Sequence, residues 1–190
     1  MNTQEIKEMS ISQIRRMMSG ETTGEDVLVF SGNDCYTRLY GQAVRVEGLA
    51  ISVCTAGEAV AVIQQKEYRM TRGAVCIRTS GMPALWEDVS DDYDGFEMIV
   101  SMDYLKSLPF DMKNIATALA YLRGEHHFHL EEERHENFVR LFELAQAMSG
   151  DEDYYKVQSL QGVVVSLLYL VCDVVHKAEE GFEKIGRAHV

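Results

Sequence analysis

Proline is nearly missing from this 190-residue chain: Pro83 and Pro109 are the only two. That excludes a Pro-rich disordered linker or a stiff polyproline spacer. Basic residues are scarce too. Eighteen Lys and Arg stand against 30 Asp and Glu, the formal net charge is -12, and no basic run exceeds the pair Arg15–Arg16. A phosphate-binding surface needs clustered cations, so no direct nucleic-acid binding is expected of this stretch. The acidity favours solubility and repels DNA. The start, MNTQEIKEMS, has no apolar core of the signal-peptide kind. The longest apolar run, Val163 to Val175, is 13 residues long and broken by Ser166 and Asp173, against about 20 for a membrane span. The expectation is a cytoplasmic protein without a membrane partner.

Several chemical signatures are absent as well. Cys35, Cys54, Cys76 and Cys172 form no CxxC pair, and three of them fall in apolar strand or helix patterns. Buried free thiols in a reducing compartment are the expectation. No GxGxxG and no phosphate loop occurs, and no Ser/His/Asp set can be argued from order or spacing. Histidine is missing altogether from residues 25–101. No cofactor, no metal and no catalytic residue is expected, and the chain is not expected to be an enzyme.

What is present is an ordinary globular composition, 46% apolar and 25% charged. A chain of this size buries roughly 70% of its unfolded surface and needs no metal or disulfide staple. Residues 1–24 form an entry arm, in which Ile6, Met9, Ile14, Met17 and Met18 suggest one weakly amphipathic helix. From residue 25 to 101, short β-rich runs recur between turn signals: 27–30, 44–46, 49–55, 59–64, 68–71, 75–78, 84–89 and 96–101. About eight strands at such spacing indicate an antiparallel sandwich or barrel. In the run Leu49–Thr55, the large Leu49, Ile51 and Val53 alternate with the small Ala50, Ser52 and Cys54. One face can pack a core while the other leaves room, and a barrel with a small-residue interior can hold a ligand.

Beyond residue 101 the apolar period lengthens. A short helical turn is expected over 103–108, a helix over 111–123, a strong helix over 130–148 with the stripe Phe138, Leu141, Ala145 and Met148, and a last helix over 153–180. In that last helix Val157, Leu160, Val164, Leu167, Val171 and Val174 step 3, 4, 3, 4, 3, the spacing of a coiled-coil seam. Val163, Leu168, Leu170 and Val175 widen the apolar surface, so the helix is buried on more than one side. Packing within the chain is one outcome; a homodimer interface along the seam is the favoured expectation.

Candidate sites follow from the barrel. Ser52 and Cys54 lie on the small face, and Trp86, the only tryptophan, is either packing or a ligand platform. Arg38 is the cation chosen as a ligand contact, although Arg38, Arg45 and Arg78 each read more simply as solvated charges. His127-x-His129-x-x-x-Glu133 has the spacing of a cupin metal motif, and imidazoles with a carboxylate suit iron, manganese or zinc. The motif needs a strand for its HxH pair, whereas here the sequence runs into a helix, so His126, His127, His129 and His135 are expected to be structural. Asp91-Asp92-Tyr93-Asp94-Gly95 lacks the ligand spacing of a calcium loop and reads as a solvated turn.

Three segments carry a family resemblance: Gly48–Val60, with its glycine turn at Gly57; Lys66–Val75, ending on Arg72-Gly73; and Tyr93–Leu105, a strand that leads into helices. Together they resemble the N-terminal domain of AraC-type transcription regulators. The resemblance, spread over residues 25–180, implies an α+β fold. A cupin-like antiparallel β-barrel, or jelly roll, without catalytic metal should span 25–108. A C-terminal antiparallel helical pair within a dimerisation region should span 109–184. It also implies a possible small-molecule effector inside the barrel and a DNA-binding half elsewhere. The expected function is ligand sensing and dimerisation, the alternative being a stand-alone small-molecule-binding cupin and, less favoured, a metal-dependent cupin enzyme. Residues 185–190, Ile-Gly-Arg-Ala-His-Val, resemble one translated frame of a common sequencing adapter. They are expected to be a non-native tail, with the intact gene running on.

Overall fold

The computed structural model describes residues 6–18, 26–32, 38–109, 125–148 and 154–188, with scattered positions between 110 and 124 and side chains up to residue 178. Cys35 and most of the helix expected over 111–123 lie outside the described residues. Among those described there are ten strands: β1 (Ile6–Met9), β2 (Val27–Ser31), β3 (Ala43–Val46), β4 (Leu49–Ala56), β5 (Glu58–Ile63), β6 (Lys66–Thr71), β7 (Ala74–Arg78), β8 (Pro83–Glu87), β9 (Asp94–Val100) and β10 (His127–His129). Four helices accompany them: α1 (Ile11–Met17), α2 (Met102–Ser107), α3 (Glu132–Ala147) and α4 (Lys156–Ala188).

The eight strands from β2 to β9 fold as one long hairpin. The innermost pair is β5 with β6, then β4 with β7, β3 with β8, and β2 with β9, all antiparallel. Wound up, this hairpin makes two five-stranded sheets. The first has the order β1-β3-β8-β5-β6 and the second β10-β7-β4-β9-β2. Nested pairing split over two sheets is jelly-roll topology, and it bears out the expected fold class. Turn chemistry permits the tight corners. Gly57, between β4 and β5, sits at φ +64°, and a Cβ there would come within 2.5 Å of the Tyr93 backbone, so only glycine fits.

Period-2 alternation gives the second sheet two different faces. Outward, Leu49, Ile51 and Val53 of β4 join Val75, Ile77, Met98 and Val100, and against them pack Phe138 and Phe142 of α3 and the apolar side of α4. Inward, Ala50 and Cys54 share the barrel interior with Leu28, Phe30, Cys76, Ile99 and Trp86. α3 and α4 form the expected antiparallel pair. Arg134 near the start of α3 meets Asp173 far along α4 at 2.8 Å.

Four expectations need correction. The coiled-coil seam does not face outward: Leu160, Val164, Leu167, Val171 and Val174 are buried in the chain's own outer core, and only Val157, 59% exposed, stands clear. An a/d stripe records that a helix buries one face, not what covers it, and here the large-residue face of the sheet does. Lys156–Ala178 is, by length and composition, apolar enough to cross a membrane, despite its shorter uninterrupted run; in this structure much of that surface lies on the sheet. The entry arm is not one helix. β1 pairs in parallel with β3, and a capping box restarts the chain. Ser10 Oγ accepts from the Gln13 amide, and Gln13 Oε1 accepts from the Ser10 amide at 2.8 Å, so α1 begins at Ile11. Finally, His127–His129 is a strand, antiparallel to β7. α4 itself continues helical to Ala188, into the tail expected to be non-native.

Candidate functional site

Inside the barrel, a polar cluster interrupts an otherwise apolar lining. β4 runs between β7 and β9, so its inward side chains have neighbours on both sides. Ser52 lies opposite Cys76 on one side and Glu97 on the other, and Ala50 lies opposite Arg78. Because Ala50 and Ser52 are small, the Arg78 side chain can cross over β4 and pair with Glu97 through Nη2 and Oε1. Ser52 Oγ donates to the other carboxylate oxygen, Oε2, at 3.2 Å. The Arg78 and Glu97 side chains are only 5% and 6% exposed, and Ser52 is fully buried. Burying a charge is costly unless it is paired and hydrogen-bonded, and here each charge has its counterpart.

A cavity adjoins this cluster. Arg78, Glu97, Trp86 and Phe30 line it, together with Ile14 of α1 and Leu39. It measures about 10 Å³, roughly the room for a single water. Trp86, in that lining, stands 6.2 Å, centroid to centroid, from Tyr93.

The thiols nearby are inert. Burial pushes Cys76 up to about 12, with the Arg78 charge opposing and the Glu97 charge reinforcing that rise. Burial likewise pushes Cys54 up to about 11, and its Sγ–H donates to the Ala56 carbonyl at 3.2 Å. Both remain protonated at neutral pH, so neither is a nucleophile.

Of the expected ligand contacts, Ser52, Cys54 and Trp86 all lie in the interior, and Ser52 and Trp86 reach the charged cluster or its cavity. Arg38 does not: it is exposed, and its guanidinium donates to the Met17 carbonyl at the end of α1. Arg78, read as solvated, is instead buried. Glu97 was overlooked altogether. Strand phase could have found both. Glu97 shares its parity with Ile99, and Arg78 with Cys76, so each belongs to the inward face.

Two histidine rings tie separate elements together. His127 Nε2–H donates to the Arg69 carbonyl at 2.9 Å, and its ring stacks on Tyr68. His135 Nε2–H donates to the Cys54 carbonyl at 2.9 Å, tying α3 to β4. Burial pulls His126 and His127 below the usual histidine range. Among the described residues no three His, Cys, Asp or Glu side chains stand together as a metal site.

No family model matches the sequence, and no curated protein does. Among solved structures, the chain is similar to the AraC-like transcriptional activator CuxR at 10% identity and a TM-score of 0.46, covering 80% of this chain and 49% of that one. It is also similar to unsaturated fatty acid bound ToxT from Vibrio cholerae, at 13% identity and a TM-score of 0.39, covering 77% of this chain and 55% of that one. A cupin family protein with a double-stranded β-helix fold, from Methanocaldococcus jannaschii, matches at 12% identity and a TM-score of 0.33, covering 44% of this chain and 84% of that one. The chain thus spans about half the length of the CuxR and ToxT chains.

Proposed function

We propose that this chain is a ligand-sensing regulatory module of an AraC-type transcription regulator, and that it does not itself bind DNA or catalyse a reaction. The observation that carries this is the Arg78–Glu97–Ser52 cluster beside a cavity in an apolar barrel. A buried ion pair is weak evidence for stability, since well-packed apolar residues often serve a core as well or better. A recognition role explains its cost. The resemblance of the three sequence segments supplies the regulatory context, and the net charge of -12 argues against phosphate binding. Homodimerisation belongs to this reading, but it falls to a different surface. Tyr154, Tyr155, Val157 and Tyr169 are exposed on and just before α4, and a second copy would have to use such residues rather than the buried seam.

The test is a search for the ligand. Native mass spectrometry of the purified chain, with a thermal-shift screen of small metabolites, is expected to find a compound that raises Tm in the wild type. The double variant Arg78→Met/Glu97→Leu is expected to lose it. A folded wild type that no small molecule stabilises, or a ligand indifferent to the double variant, would refute the reading.

A further inference from the structure

We propose that β10 is a pH-sensitive latch: protonation of His126 releases this edge strand from β7 while the rest of the barrel stays folded.

His126 is 2% exposed, and among the described residues neither of its ring nitrogens finds a hydrogen-bond partner. Its backbone is placed by β7. The Ile77 amide donates to the His126 carbonyl at 2.8 Å, one step beyond the His127–Cys76 pair. His126 therefore shares its parity with Phe128, which packs on the outer core, and belongs to that apolar side of the sheet. A neutral imidazole there leaves one donor and one acceptor unmet. An imidazolium would bury a charge and two unmet donors. Burial accordingly holds the ring below its ordinary value of 6.5. Two charged groups act on it: Glu125 favours protonation and Lys66 opposes it. They hold each other at 2.6 Å. Arg78, the charge on β7, turns the other way, towards Glu97 in the barrel.

The strand itself is lightly fastened. β10 is three residues long and has β7 as its one neighbour in the sheet. Beyond the Ile77 bond, the Leu130 amide donates to the Gly73 carbonyl at 2.9 Å. The His127 ring bonds the Arg69 carbonyl and stacks on Tyr68, both on β6. When β10 leaves, β7 keeps its pairing with β4. A local opening of this kind exposes little surface, and it lets His126 reach water and take up a proton. His127, also held low by burial, is freed by the same motion. The open strand thus binds protons that the closed one resists. Opening becomes easier as pH falls below 6.5, and above that value the two states bind protons alike. Because β10 leads directly into α3, the latch sets how the segment ahead of the helices is fastened to the barrel.

Amide hydrogen exchange of the whole chain, read by NMR between about pH 7.5 and pH 5 and corrected for the intrinsic pH dependence, tests this. The Ile77 and Leu130 amides are the reporters, since both donate across the β10–β7 edge. Their protection is expected to fall about tenfold or more for each pH unit below 6.5. It should depend little on urea, because little surface opens. Amides of β4 and β9 should exchange more slowly and with the full urea slope of global unfolding. In His126→Leu the two reporters are expected to lose about a tenfold change per pH unit from that slope. Protection that does not change with pH, reporters that share the rate and urea slope of β4 and β9, or an unchanged pH slope in a folded His126→Leu would overturn the latch. If that variant does not fold, the ring signals of the wild type decide. A His126 ring that titrates below 6.5 supports the latch, and one that titrates at or above 6.5 overturns it.

Discussion

β4 is one strand with two unlike faces, and the molecule is organised around the difference. Leu49, Ile51 and Val53 point to α3 and α4 and belong to a core of large apolar side chains. Ala50, Ser52 and Cys54 point into the barrel, where small residues leave space that Arg78 crosses to reach Glu97. The outer face is a stability device. It buries many large side chains, each worth about 1.5–3 kcal/mol when removed from water. The inner face gives up packing for a charged pair and a cavity, which is what a binding site requires. On the proposed reading, large residues alternating with small ones mark the boundary between holding the fold and recognising a ligand.

The largest expected effect lies on the outer face. Leu167→Asp would place a carboxylate without a partner among Phe138, Phe142 and the sheet residues, at a cost of about 4–5 kcal/mol or more. Urea denaturation should show this loss at every protein concentration, because the seam is covered within one chain. A midpoint that rises with wild-type concentration, and no longer does so in the variant, would instead place Leu167 between two chains.

Next comes the charged pair. Arg78→Met leaves Glu97 buried without its cation and is expected to cost about 3–5 kcal/mol. Adding Glu97→Leu should return most of that loss, because the second charge is then gone too. Failure of the double variant to recover would mean that the pair holds the barrel together, and the contrast between the two faces would weaken.

Neighbouring residues on β4 allow a direct comparison. Ile51→Ala should cost about 2–5 kcal/mol, as a cavity in a packed core does. Ser52→Ala should cost less, about 1–3 kcal/mol, as the loss of a hydrogen bond to a charged group. Equal losses at both positions would erase the distinction.

The smallest effect is on pH. Burial holds His126 and His127 below the ordinary histidine value of 6.5. Below that pH the unfolded chain takes up protons that the native rings resist, so stability falls as pH drops through 6.5 towards the lowered native values. Above it, the two states bind protons alike and the effect vanishes. The urea midpoint should therefore decline between about pH 7.5 and pH 5, and His126→Leu should flatten the decline. An unchanged slope in a folded His126→Leu would assign the effect to other groups.

Local patterns in the sequence determined a good deal. The eight barrel strands were legible because alternation and turn residues are properties of a few consecutive positions, and α3 and α4 because apolar spacing near 3.6 persists over several turns. The small face of β4 was legible for the same reason, and it led to Ser52 and Cys54. What a surface meets is not a local property. The Val157–Val174 seam has the same spacing whether a sheet or a second helix covers it, and only the folded chain placed the sheet there. β1 and β10 are edge strands four and three residues long, too short for a period of their own, and their hydrogen bonds come from β3 and β7, far away in sequence. Arg78 and Glu97 are 19 residues apart and became a pair only when β7 and β9 were set on either side of β4. Charge pairing across a sheet depends on register, and register was decided when the long hairpin wound itself into two sheets.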